Sequence, residues 1–535
     1  MDNQIILRDY QNKGVQLIRN FFKKGGNHAI FRAPTGGGKT IIFSYIAQNV
    51  ALKKKKVLIL TNRSELLMQA DGSLSKFGLK PFLIRAGINF LNFNSNAYIA
   101  MSQTLRNRVK KDMWKNWIKK IDLIIIDEAH LQDFNFLFES GLIDNVKTLG
   151  FTATPKRTGK MRQLAIDYEE ILGSVEVSEL IDRNYLVPDD YFGVQGVNLN
   201  NVKFDYMKGD YSEQDMFNRF NSPKLYAGVV KNWLQIAPNS HTIVFCVNVE
   251  HCIHTCEEFQ KNGIDARFIT SAKTKPKEPE ENATEGDWIK YEEKMRLYNL
   301  YIDNFAKWSG NRADLFRKFN NKEFTVLINA GIATTGFDCP AIETVIVNRA
   351  TTSQTLWLQM IGRGSRTFPG KTHFNILDFG DNASRLGHYT QNQAWSLWHE
   401  MGKESDGEGV PPVKECGENR KPDKNGKKGC GRIIMASLKI CPFCGYITPK
   451  SEAKEIDLSG IMYDNKLHRA VAVKKISDMD IDELYDYFKL KKHKSAWLWR
   501  QLYFRGGEDL IEKIGKQKGW KLSTVQKSKE FCKRL

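Results

Sequence analysis

The octapeptide Ala33-Pro34-Thr35-Gly36-Gly37-Gly38-Lys39-Thr40 is the strongest constraint in this 535-residue chain. A strand-like run, 29–32, precedes it and a helical pattern follows. A glycine-rich turn in that setting lets backbone N–H groups converge on phosphate oxygens, and the helix N-terminus adds a favourable dipole. Ala33 stands where the first glycine is usual. Lys39 is expected at the β- and γ-phosphates of ATP, Thr40 at magnesium, and Pro34 to Gly38 around the phosphates. A strand–loop–helix of this kind belongs to an α/β layer, so the motif constrains fold as well as ligand.

The surrounding pattern agrees. Apolar runs at 57–60, 98–101, 123–126 and 148–151 read as buried parallel strands, with helices at 40–52 and 64–76. After Pro188 a second strand set follows, at 242–246, 267–270, 325–329, 344–348 and 375–378. Two such sets predict two α/β domains with parallel sheets, at 1–185 and 186–400. Residues 272–310 interrupt the second set as a surface insertion, ending in a charged helix from 287 to about 308. The Gly/Pro/acidic stretch 401–412 reads as a linker. Residues 413–450 hold a cysteine cluster, and 451–535 form a basic helical domain.

Asp127-Glu128-Ala129-His130 closes the apolar run 123–126. A carboxylate there can reach magnesium held at Thr40. Asp127 suits that role, and Glu128 suits polarising the attacking water.

With these motifs in order, the chain resembles a superfamily 2 helicase of the DEAH type, which has two RecA-like lobes. The resemblance covers most of 5–385. Leu7-Arg8-Asp9-Tyr10-Gln11 resembles the adenine-reading Q motif, with Asp9 where Pro is common; it implies Arg8 and Gln11 at the nucleotide. Thr61-Asn62-Arg63 and Ser102-Gln103-Thr104 resemble strand-contacting motifs. Thr152-Ala153-Thr154 resembles the motif that couples ATP state to lobe movement; a coupling role is implied for Thr152, Thr154 and His130. Thr334-Thr335-Gly336-Phe337-Asp338 resembles motif V; the threonines are implied at nucleic acid, Gly336 and Asp338 at ATP. Gln359-Met-Ile-Gly-Arg363-Gly-Ser-Arg366 resembles motif VI, whose Gln359, Arg363 and Arg366 are implied in catalysis. Guanidinium groups suit planar phosphoryl oxygens, and an arginine finger is worth ~10³–10⁵ in rate.

Tyr185-Leu186-Val187-Pro188, Thr334 to Pro340 and the run Arg366-Thr-Phe-Pro-Gly-Lys371-Thr resemble the RadD-type bacterial repair helicases and their phage-encoded relatives. That similarity implies repair or recombination, single-strand-binding or recombination proteins as partners, and a cytoplasmic setting. Three alternatives stay open: a double-strand translocase or nucleoprotein remodeller, an RNA helicase, and a non-catalytic adaptor. The intact Lys39, Asp127, Glu128, Arg363 and Arg366 argue against the last.

Four of the nine cysteines cluster: Cys416, Cys430, Cys441 and Cys444. Cys441-Pro-Phe-Cys444-Gly is half of a zinc ribbon, whereas Cys416 and Cys430 are widely spaced. The expectation is one four-sulfur zinc site, with reduced thiols or an iron–sulfur cluster as alternatives. Lys and Arg total 80 against 61 Asp and Glu, a net of +19. Of this, +10 falls in 401–535. Such an excess points to a polyanion, DNA before RNA in this reading. No apolar run approaches the ~18–20 residues of a bilayer helix, which argues against a membrane.

Overall fold

The structure, a computed structural model, describes residues 6–398 apart from 89, 158–161, 174, 195–198, 200–201, 207, 271–273, 280–282, 335 and 392–394. Beyond them it describes 413–415, 426–427, 433–435, 446–447, 463–464, 481, 484 and 495–532. Among these residues seven strands form the first sheet: β1 (His28–Arg32), β2 (Val57–Thr61), β3 (Phe82–Ile84), β4 (Ala97–Met101), β5 (Leu123–Asp127), β6 (Lys147–Thr152) and β7 (Glu170–Leu172). Their order is β3-β4-β2-β5-β6-β1-β7 and every pairing is parallel.

The apolar runs are continuous because the central strands are covered on both faces. Val57 and Ile59 of β2 pack with Phe43, Ala47 and Leu67, while Leu58 and Leu60 pack on the opposite face with Trp114 and Trp117. Helices α1 (Asp9–Lys23), α2 (Lys39–Leu52) and α3 (Ser64–Lys76) supply much of the first layer. Burying each such side chain contributes about 1.5–3 kcal/mol.

The second sheet comprises β8 (Asp189–Gly193), β11 (Thr242–Phe245), β12 (Ala266–Ile269), β13 (Val326–Asn329), β14 (Thr344–Val347), β15 (Phe374–Asp378) and β18 (Tyr463–Asp464). Its order is β12-β13-β11-β14-β15-β8-β18. Six strands are parallel, and β18 joins β8 antiparallel. The short strands β9 (Phe204–Asp205) and β10 (Asp210–Tyr211) form a ladder apart, as do β16 (Val413–Glu415) and β17 (Ile433–Met435). Two parallel-sheet α/β domains are therefore present, as expected of RecA-like lobes.

The helix Glu285–Trp308 lies between β12 and β13. Its first half is exposed, with Trp288 and Ile289 open to solvent. Its second half buries Tyr301 and packs Leu300, Phe305 and Trp308 onto the second core. In the tail, the helix Ser495–Gln517 breaks at Gly506 and Gly507 and packs on the helix Leu522–Cys532. Leu498, Trp499, Leu502, Ile511 and Ile514 are buried there together. No helix among the described residues is long and apolar enough to cross a membrane.

Candidate active site

The phosphate loop lies where β1 ends. Gly36 and Gly38 hold φ of +80° and +73°, a backbone that side-chain-bearing residues rarely adopt. Gly37 N–H donates to the Pro34 carbonyl at 2.9 Å, closing the turn. Gly38 caps α2 without a side-chain bond, leaving the helix N-terminus bare towards the loop. Lys39 Nζ is 3.5 Å from the Ala33 carbonyl, and Thr40 follows it in the first turn. Tyr10 donates its hydroxyl to the Gly37 carbonyl at 3.2 Å.

Gln11 is buried against Gly38, but its Oε1 accepts the Arg8 N–H at 2.9 Å as the cap of its own helix. Its carboxamide nitrogen faces Gly38 of the phosphate loop. Arg8 instead stacks on the Tyr185 ring, 4.0 Å from its centroid.

β5 delivers Asp127 and Glu128, both buried. Burial and the adjoining Glu128 carboxylate push the Asp127 carboxyl up to about 7, with Lys39 opposing. Glu128 sits at φ +53°, and its Oε2 has no hydrogen-bond partner. Two buried carboxylates, one with an oxygen that accepts no hydrogen bond, beside a phosphate loop fit a divalent cation, which Thr40 and Asp127 would hold. His130 Nδ1 lies 2.8 Å from Thr152 Oγ1 and 3.4 Å from Glu128 Oε2, and burial lowers its imidazole below the usual value, with Glu128 opposing. Thr152 Oγ1 also accepts the Thr154 N–H at 3.1 Å. His130, Thr152 and Thr154 are therefore brought together behind the acidic turn.

The second lobe closes on this loop. A Cβ built on Gly362 would lie 2.5 Å from the Thr35 Cβ, and one on Gly36 would lie 3.7 Å from Arg366 Cγ and Ser365 Oγ. Leu186 bridges to Arg366, and Val187 N–H donates to the Ser365 carbonyl at 2.8 Å. Arg363 is buried, donating to the Phe337 carbonyl at 2.5 Å and to the Thr334 carbonyl. Burial lowers its guanidinium to about 10, and Glu128 works against that shift. Arg366 pairs with Asp338. Gln359 Nε2 is buried without a partner. Both arginines therefore line the interlobe joint but are engaged within their own lobe. Gly336 and Asp338, implied at ATP, contact other groups: Gly336 approaches Leu66 and Glu65 of α3, and Asp338 is taken by Arg366.

The residues implied at nucleic acid divide. Thr61 and Ser102 are buried, and buried Thr334 donates its hydroxyl to the Gly331 carbonyl at 2.7 Å. Gln103 is exposed and Thr104 half-buried. Asn62 and Arg63 line an interlobe cleft of about 490 Å³. Arg63 donates to the Ile332 carbonyl at 3.0 Å, and Asn62 to Asp133 at 3.4 Å. Thr335 lies outside the described residues, as do Cys416, Cys430, Cys441 and Cys444. Among the described residues no His, Cys, Asp or Glu group is placed to hold a metal by three or more ligands.

Sequence reasoning missed three cations. Arg312 bridges the cleft to Glu65 at 2.8 Å. Lys371 donates to the carbonyls of Gly364, Arg366 and Pro340 at 2.6, 2.9 and 3.2 Å, and burial lowers its ammonium to about 8. Arg157 holds carbonyls of the acidic turn. The spacing Arg366-Thr-Phe-Pro-Gly-Lys371 was a signal for Lys371 only.

Residues 4–157 match the family model described as type III restriction enzyme, res subunit, and residues 300–367 match the helicase conserved C-terminal domain. Together the two matches indicate similarity to the superfamily 2 helicase family. A Saccharomyces cerevisiae protein described as an ATP-dependent helicase, IRC3, is 29% identical to this chain over 396 residues, 70% of this chain and 51% of that one. The 51.5 kDa protein of a Lactococcus phage is 25% identical over 518 residues, 94% and 98% of the two chains. The chain spans about half the length of the yeast relatives it matches. Among solved structures, a fragment described as an HsdR subunit of a type I restriction enzyme from Vibrio vulnificus YJ016 shares the fold. Its TM-score is 0.50 at 19% identity, over 72% of this chain and 66% of that one.

Proposed function

We propose that the chain is an ATP-dependent helicase or translocase acting on DNA. The observation that carries this reading is the seating of segment 362–366 on Thr35 and Gly36, which puts phosphate chemistry at the joint between two bodies. Lys39 and the loop amides hold the phosphates, and Thr40 and Asp127 hold magnesium, which when bound supplies charge neutralisation at the phosphates. Glu128 orients the water. Arg363 and Arg366 exchange their carbonyl and carboxylate partners for phosphoryl oxygens as the lobes tighten. Thr152, Thr154 and His130 pass that change to the lobe as a whole.

Arg63 and Asn62 grip backbone phosphates in the cleft, and the 102–104 and 334–335 segments join them on motif resemblance alone, so repeated closure moves the chain along a strand. Match of residues 4–157 to a restriction-enzyme subunit model favours DNA over RNA. The process class is repair, recombination or replication, on the RadD-type resemblance. Cys416, Cys430, Cys441 and Cys444 are proposed to hold one zinc on their spacing, and metal analysis giving iron would overturn that.

The test is ATP hydrolysis with single-stranded, duplex and forked DNA and with RNA, beside strand-displacement and protein-displacement assays. Stimulation by RNA alone moves the reading to an RNA helicase; protein displacement without strand separation moves it to a remodeller. Lys39→Ala and Glu128→Gln each lower the DNA-stimulated rate by about 100-fold or more. A retained rate in both refutes the site.

A further inference from the structure

Arg157 lies five residues beyond Thr152, and its side chain is 3% exposed. Its guanidinium faces backbone. Nε donates to the His130 carbonyl at 2.7 Å, and Nη2 to those of Leu131 at 3.0 Å and Ala129 at 3.3 Å. Nη1 donates to the Arg162 carbonyl at 2.9 Å and lies 3.6 Å from the buried Asp167 carboxylate. Asp167 in turn accepts from Arg162 at 2.9 and 2.7 Å, so the counter-ion is itself anchored.

The three carbonyls belong to the residues directly after Glu128. That residue holds φ +53°, a conformation costly for a non-glycine residue and kept only where the surroundings over-determine it. The amide side of the turn is also fixed. Glu128 N–H donates to Asp127 Oδ1 at 3.1 Å, Ala129 N–H to the Phe151 carbonyl at 3.0 Å, and Leu131 N–H to the Glu128 carbonyl at 3.0 Å. On the carbonyl side Arg157 does this work. A planar fork with five donors serves these four carbonyls from three separate nitrogens; a lysine has three donors on one atom and would leave at least one carbonyl unserved.

We propose that Arg157 is a positioning residue for hydrolysis: it holds the 129–131 backbone so that the Glu128 carboxylate stays aimed into the joint, and it ties that aim to the 152–157 segment. Thr152 reaches the same turn through the His130 side chain, so two separate links join segment and turn. Lys39, Thr40 and Asp127 are untouched by Arg157 and keep their nucleotide contacts without it. The proposal rests on the reading of Glu128 as the residue that polarises water.

The test uses the full chain with single-stranded oligo(dT), comparing wild type, Arg157→Lys, Glu128→Gln and the double variant. Hydrolysis is normalised to the sites that bind a fluorescent ATP analogue, so lost folding is not read as lost catalysis. Arg157→Lys is expected to lower kcat by about 10- to 100-fold and to leave KM and analogue affinity within about threefold. In the Glu128→Gln background it adds nothing to the residual rate, because Arg157 acts through that carboxylate. A kcat within about twofold of wild type overturns the proposal, as does an equal loss in the Glu128→Gln background or the disappearance of analogue-binding sites. A wild-type chain that hydrolyses no ATP, or a Glu128→Gln chain as fast as wild type, refutes the underlying reading instead.

Discussion

At the scale of single residues, Asp127 carries an electrostatic consequence that a melting experiment can read. Its folded value near 7 stands above the ordinary 3.8 because burial and Glu128 disfavour the charged form. The folded chain therefore keeps a proton that the unfolded chain releases between about pH 4 and 7, so ligand-free stability falls as pH rises through that window and levels off above it. Asp127→Asn removes the term. The variant should melt higher than wild type by the equivalent of about 1–4 kcal/mol at pH 8, with the gap closing towards pH 4, while losing ATP hydrolysis. Calorimetry across pH without nucleotide checks this; a gap independent of pH would sink it. Residues such as Asp127 and Lys39 were legible because their chemistry sits in a local run. Arg157 and Lys371 were not, since their partners are main-chain carbonyls, which any sequence supplies. The bond from the Arg8 amide to Gln11 Oε1 was hidden for the same reason, since its donor is main chain.

Among elements, the central strands were readable because burial on both faces demands unbroken Val, Ile and Leu. β3 and β7 passed unnoticed: each has three residues, lies at a sheet edge and is only partly buried. β18 was unreadable, since two residues carry no period. The helix Glu285–Trp308 shows how burial divides one element. Tyr301→Ala should destabilise the second lobe by about 2–4 kcal/mol through the cavity left against its core. Trp288→Ala, in the exposed half, should stay within about 0.5 kcal/mol of wild type. Denaturant unfolding of the two variants compares the halves; equal losses would mean the exposed half is also packed.

For the whole molecule, the decisive contact is glycine against threonine across the lobes. Gly362 has φ −59°, so alanine fits its backbone, but the added methyl meets Thr35. Gly362→Ala should wedge the lobes apart, lowering kcat about 10-fold or more with KM raised, while each lobe keeps its stability. Small-angle scattering with a non-hydrolysable ATP analogue should give a larger radius than wild type. An unchanged rate would show that this contact is not made during turnover.

The pairing of β18 with β8 gives the charge of the tail a direction. Two residues from beyond position 401 are stitched to the edge of the second sheet, at Tyr463 opposite Gly193 and Asp464 opposite Phe192. At that seam the tail is a passenger of the second lobe. In the proposed cycle the seam travels with one lobe and against the other, as a hand does on a climbing arm. Cutting the chain near residue 405 would therefore remove a strand along with the lysines, and exchanging single lysines for glutamine is the cleaner way to ask what that hand holds.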